Sequence, residues 1–114
     1  MKIVIVEPFK KARAAEIEGD LYDYQRIVGG FIEIVRPFRD NACIVCNDEG
    51  KLLGLPMNRP LEKNGRAYDV ICGTFLIVGT YRGNDGEEFC SLTDEQVKRY
   101  LAMYKTPPLM GVMC

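Results

Sequence analysis

The chain has 114 residues, 47% apolar and 27% charged, which is enough for one core and too few for two. With 15 Lys plus Arg against 16 Asp plus Glu, it has no general attraction to nucleic acid and no dense acidic face that would imitate it. No apolar run nears the ~20 residues that span a bilayer, and the apolar stretch at residues 3–6 is too short for a signal peptide. A cytoplasmic protein without membrane contact is expected.

Residues 2–7 (KIVIVE) form a β-branched run stopped by Pro8, which predicts a first strand. Residues 12–18 (ARAAEIE) predict a second strand folded back on it. Asp20 is a good N-cap for a short helix over residues 21–28, with Leu21, Tyr24 and Val28 on one face, and Gly29–Gly30 ends it in a left-handed cap. Residues 31–36 (FIEIVR) alternate and predict a strand closed by Pro37. Residues 42–46 (ACIVC) predict the next, and the turn Asn47-Asp48-Glu49-Gly50, with Gly50 at positive φ, predicts a hairpin returning through residues 51–53. The two prolines of GLPMNRPLEKNGR predict an irregular excursion, with a turn at Asn64–Gly65. Residues 68–72 and 74–81 predict strands interrupted at Gly73, and RGNDGEE reads as a polar loop. Thr93 and Gln96 form a capping box that opens a C-terminal helix with Val97, Tyr100, Leu101 and Tyr104 on one stripe, before Pro107–Pro108. The pattern predicts an α+β domain over residues 1–106. Its sheet is small and mostly antiparallel, with one short and one C-terminal amphipathic helix. A short apolar tail follows over residues 107–114.

The chemistry is defined as much by what is missing. The chain has no His, so a hydrolytic triad built on imidazole is excluded, and no phosphate-loop motif occurs. Five cysteines, an odd number, read as free buried thiols in a reducing compartment. Cys43 and Cys46 form a C-x-x-C, but three residues apart on a strand they point to opposite faces, which argues against zinc or redox work. Gly29–Gly30 reads as a helix cap rather than a phosphate cradle, Asp48–Glu49 as turn chemistry, and Asp85, Glu87 and Glu88 as a solvated loop. No cofactor and no metal are expected.

The informative stretch is GLPMNR, residues 54–59. Arg59 carries a planar fork of donors suited to phosphate or carboxylate, and Asn58 can both donate and accept. Pro56 and Pro60 stiffen the backbone on either side. Thr74 beside Gly73 could add a hydroxyl, and Tyr68 and Tyr81 could stack on a planar ring. Together they would suit a nucleotide-like anion. The structural alternative pairs Arg59 with an acidic residue such as Asp69 and turns Asn58 onto its own loop. Arg36 and Arg39, flanking Phe38, form either a second anion-binding rim or a solvated turn.

The blocks IVGGFIEIVRPF, CNDEGKLLGLPMNRP, DVICGTFLIVG and FCSLTDEQVKRYL, in this order, resemble an uncharacterised domain family of unknown function carried by bacteriophages and mobile elements, chiefly of Gram-positive hosts. The resemblance covers roughly residues 1–104 and implies a cytoplasmic setting in an infected bacterium. It transfers no activity and no catalytic residue.

The expectation is therefore a non-enzymatic binding protein, a homo-oligomer that sequesters a small anionic, nucleotide-derived host immune signal. Arg59, Asn58, Thr74, Tyr68, Tyr81, Arg36 and Arg39 are its candidate ligand-binding residues. The alternative is a protein–protein interaction module that inhibits a host defence or regulatory protein, with Leu109, Met110, Val112 and Met113 of the tail as its contact. An enzyme using carboxylate or Tyr chemistry ranks last.

Overall fold

The computed structural model describes residues 1–107. In chain order its elements are β1 (Lys2–Val6), β2 (Arg13–Glu16), α1 (Leu21–Val28), β3 (Ile32–Val35), β4 (Ala42–Asn47), β5 (Met57–Lys63), β6 (Arg66–Cys72), β7 (Phe75–Gly83), β8 (Gly86–Cys90) and α2 (Asp94–Met103). Six strands make one sheet in the order β2-β1-β7-β4-β3, with β8 paired to β7, and β5–β6 make a second, two-stranded sheet. Every pairing is antiparallel, as short connections require. Among the described residues no helix is long and apolar enough to cross a membrane.

The central strands explain the three layers. β1, β4 and β7 are apolar at successive positions, and successive side chains of a strand point to opposite faces, so both faces need cover. On one face Val4, Val6, Ile44, Phe75 and Ile77 pack under α2, through Tyr100 and Tyr104, and under the β5–β6 hairpin, through Leu61 and Ile71. On the other, Ile3, Ile5, Val45, Leu76 and Val78 pack under α1, through Tyr24 and Val28. Each such buried side chain contributes about 1.5–3 kcal/mol.

Both helices start where the sequence places them. Asp20 accepts the N–H of Asp23, and Gly29 closes α1 at φ 79°. Thr93 and Gln96 bond reciprocally at the head of α2. One detail of the predicted α1 face is corrected: Leu21 is 56% exposed, because Tyr24 and Val28, one turn apart, set which side of the helix meets the sheet.

Three other expectations are corrected. The hairpin over residues 42–53 does not form, since β4 lies between β3 and β7 and residues 51–54 are turns. Gly50 is not at positive φ. It is glycine for space, because a Cβ there would lie 2.4 Å from the Cys72 carbonyl oxygen. The segment read as an irregular excursion contains β5, paired to β6 with irregular register at two places. Pro60 is tolerated there because β5 has a partner on one side only. The Asn64–Gly65 turn is present as expected, with φ of 53° and 77°, and it joins β5 to β6. The polar loop RGNDGEE is the β7–β8 hairpin, with Gly83 opposite Gly86.

Cys43 and Cys46 do point to opposite faces, each in a different core cluster. Burial pushes their thiols up to about 11 and about 12, which makes them inert rather than nucleophilic. Among the described residues Cys43, Cys46 and Cys90 are free. Cys114 and the tail residues Leu109, Met110, Val112 and Met113 lie outside the described residues.

Candidate functional site

Asn58 and Arg59 sit near the start of β5, where the hairpin passes under the end of α2. Asn58 is fully buried. Its amide donates to the carbonyls of Val6 (2.8 Å) and Gly73 (2.9 Å), and its oxygen accepts from Arg59 Nη1 (2.9 Å). Arg59 is 3% exposed, and its Nη2 donates to the carbonyls of Lys10 (2.6 Å) and Tyr104 (2.8 Å). The pair thus ties together the end of β1, the β1–β2 connection, the β6–β7 junction and the C-terminus of α2. Asn58 serves carbonyls far from its own loop, and Asp69 is held by Lys51 rather than by Arg59.

Among the described residues Arg59 therefore has no carboxylate partner. Its cation faces the carbonyl end of α2, a helix with Asp94 and Glu95 in its first turn and no basic residue in its last. The negative end of the helix dipole is complemented from another element, an interaction of about 0.3–2 kcal/mol. Burial holds the guanidinium below its ordinary pKa, against the opposing influence of Tyr104. Its Nε is buried with no hydrogen-bond partner among the described residues.

Beside this guanidinium opens a cleft of about 540 Å³, walled by Phe38, Pro60, Leu61, Met103 and Tyr104, with Glu62 at its edge. The Tyr104 hydroxyl is pushed up to about 12, chiefly by burial. Phe38 packs against Tyr100 with ring centroids 4.6 Å apart. Asp40 fixes this β3–β4 connection onto α2 by accepting from Tyr100 Oη (2.8 Å), Gln96 Nε2 (3.2 Å) and Arg99 Nη1 (2.5 Å). Such a cleft can hold a ligand with an apolar or aromatic body and a negative group.

The other candidates are not gathered here. Thr74 opens on the α1 face, beside Arg13, Arg26 and Ile27, because strand alternation sends it to the side opposite Phe75. Tyr81 and Arg36 share a shallow recess near β8 with Glu87 and Glu88. There Tyr81 Oη donates to Glu88 and Arg36 pairs with Glu87. Tyr68 is 57% exposed on β6, and Arg39 is exposed in the β3–β4 connection. The sequence reading missed Phe38, Met103 and Tyr104 as cleft walls. One signal was available: a ten-residue helix without a basic last turn asks for a cation from elsewhere.

Residues 1–105 match the model of a family described as a domain of unknown function, DUF3846. No curated protein and no solved structure matches the chain.

Proposed function

We propose that this chain, which belongs to the DUF3846 family of unknown function, is a non-enzymatic binding protein for a small ligand that carries a negative group, seated in the cleft beside Arg59. The observation that carries this reading is Arg59 itself: nearly fully buried, with no carboxylate and no partner for its Nε among the described residues, at the wall of a cleft with two aromatic residues. A cation in a low-dielectric setting that is only partly compensated by carbonyl dipoles attracts an anion more strongly than an exposed one does. The ring of Phe38 and the hydroxyl of Tyr104 would orient a planar ligand. A nucleotide-derived immune signal in a phage-infected cell, sequestered rather than turned over, is the specific form of this reading. Asn58 then acts by holding Arg59, and the exposed Arg36 and Arg39 take no part.

Calorimetric titration with cyclic dinucleotides, ADP-ribose-type nucleotides and inorganic phosphate tests it. Because Arg59 holds the fold, the decisive variants lie on the rim. Met103→Glu should weaken binding and Glu62→Lys should tighten it, each by several-fold. A panel without a binder, or a binder indifferent to both changes, would overturn the reading.

A second reading, docking on a host protein, is favoured by Leu52 and Leu53, which are 85% and 59% exposed in the loop after β4. Leu52→Ser with Leu53→Ser would then abolish capture of that protein and leave nucleotide titrations unchanged.

A further inference from the structure

β2 is an outer strand of the main sheet, and its free side can be assigned residue by residue. Met1 and Ile17 exchange both backbone bonds: Met1 N donates to Ile17 O (2.8 Å) and Ile17 N to Met1 O (3.0 Å). Antiparallel ladders alternate, so Ala15 and Arg13 also turn their polar groups toward β1, while Ala14 and Glu16 turn theirs outward. Ala12 confirms the phase, since its N–H points outward and donates to Tyr104 O (3.2 Å). Among the described residues, the outward N–H and C=O of Ala14 and Glu16 meet no partner. Beyond them lies a groove of about 610 Å³ between β2 and α2, lined by Ala14, Glu16, Glu95 and Lys98 among others.

We propose that a second copy of the chain docks on this edge, antiparallel, about a two-fold axis at Ala15. In an antiparallel ladder an outward-turned residue must oppose another outward-turned residue, so the axis passes through a residue and not between two. An axis at Ala14 would require the N–H of Ala12, which Tyr104 already occupies. An axis at Ala15 places Ala14 opposite Glu16 of the second copy and Glu16 opposite its Ala14, so that every outward group on the strand is paired. The two Ala15 residues then meet at a non-hydrogen-bonded position, where the backbones come to about 4.5 Å and small side chains fit.

The charges agree with this register. Ala14 is opposite Val4, on the face under α2, so Glu16 of the second copy points into the groove there. Lys2 pairs with Glu16 in register and with Asp94 through its ammonium. The first turn of α2 is therefore level with Glu16, and Lys98, one turn on, is level with Ala14. Glu16 of each copy thus reaches Lys98 of the other.

Sedimentation velocity on the full chain, from micromolar to submillimolar concentration, should show a dimer. Ala14→Pro removes an outward N–H and no β1–β2 bond, so it should remain folded by circular dichroism and sediment as a monomer. Glu16→Lys should raise the dimer Kd about tenfold or more, and Glu16→Lys with Lys98→Glu should restore it. If Ala14→Pro unfolds, this charge exchange decides alone. A monomer at every concentration, or a dimer unmoved by both Ala14→Pro and Glu16→Lys, overturns the proposal.

Discussion

Arg59 and Arg36 do opposite things with the same side chain. Arg59 is buried and gives its donors to carbonyls and to Asn58, whereas Arg36, more than half exposed, pairs with the carboxylate of Glu87. An exposed ion pair exchanges water for a partner at little net gain. A buried guanidinium must find dipoles, and the segments it joins lose their own hydrogen bonds if it is removed. The comparison teaches that the cation with no countercharge among the described residues is the structural clasp, and the one on which the proposed anion site rests.

The strongest way to break this contrast is Arg59→Ala. It orphans carbonyls on two segments and should cost about 3 kcal/mol in chemical denaturation. Arg59→Lys should recover little, because an ammonium cannot span Asn58, Lys10 and Tyr104 at once. Asn58→Ala should follow at about 2 kcal/mol, and the double variant should lose less than the sum, since the two side chains form one unit. Tyr100→Phe removes the hydroxyl that donates to Asp40 and should cost about 1 kcal/mol.

The Asp40 anchor also gives a pH dependence. Burial raises its pKa, but the bonds from Tyr100, the Asn41 N–H and Gln96, with the charge of Arg99, outweigh that and leave it below its ordinary value. The folded state therefore binds this proton less readily than the unfolded chain. The resulting stability is complete above the unfolded carboxylate range, near pH 4, and is lost as pH falls through the folded value. Asp40→Asn should flatten that acid limb in thermal melts. The smallest effect sharpens the comparison from the other side: Arg36→Ala should change stability by no more than about 0.5 kcal/mol.

Some of this was legible before the fold was known. Asp20, Gly29 and the Thr93–Gln96 box announced both helices, and the apolar runs announced β1, β4 and β7. The errors fell where local signals have two readings. Asn47-Asp48-Glu49-Gly50 has turn chemistry, but whether a strand returns after it depends on β3 and β7 already flanking β4. Pro60 argued against a strand, and only the free outer side of β5 makes it acceptable. For the candidate site, the residue types Asn58 and Arg59 were visible, while Phe38, Met103 and Tyr104 come from elements distant in sequence.

What the chain determined unaided is whatever acts within a turn or two of backbone: caps, turn glycines, and the alternation that makes a strand apolar on both faces. Only the tertiary structure decided which carbonyls receive Asn58 and Arg59, and that Thr74 and Arg59 open on opposite faces of the sheet. The reason is that a buried polar side chain is satisfied by whatever packing brings to it, and that packing joins segments far apart along the chain.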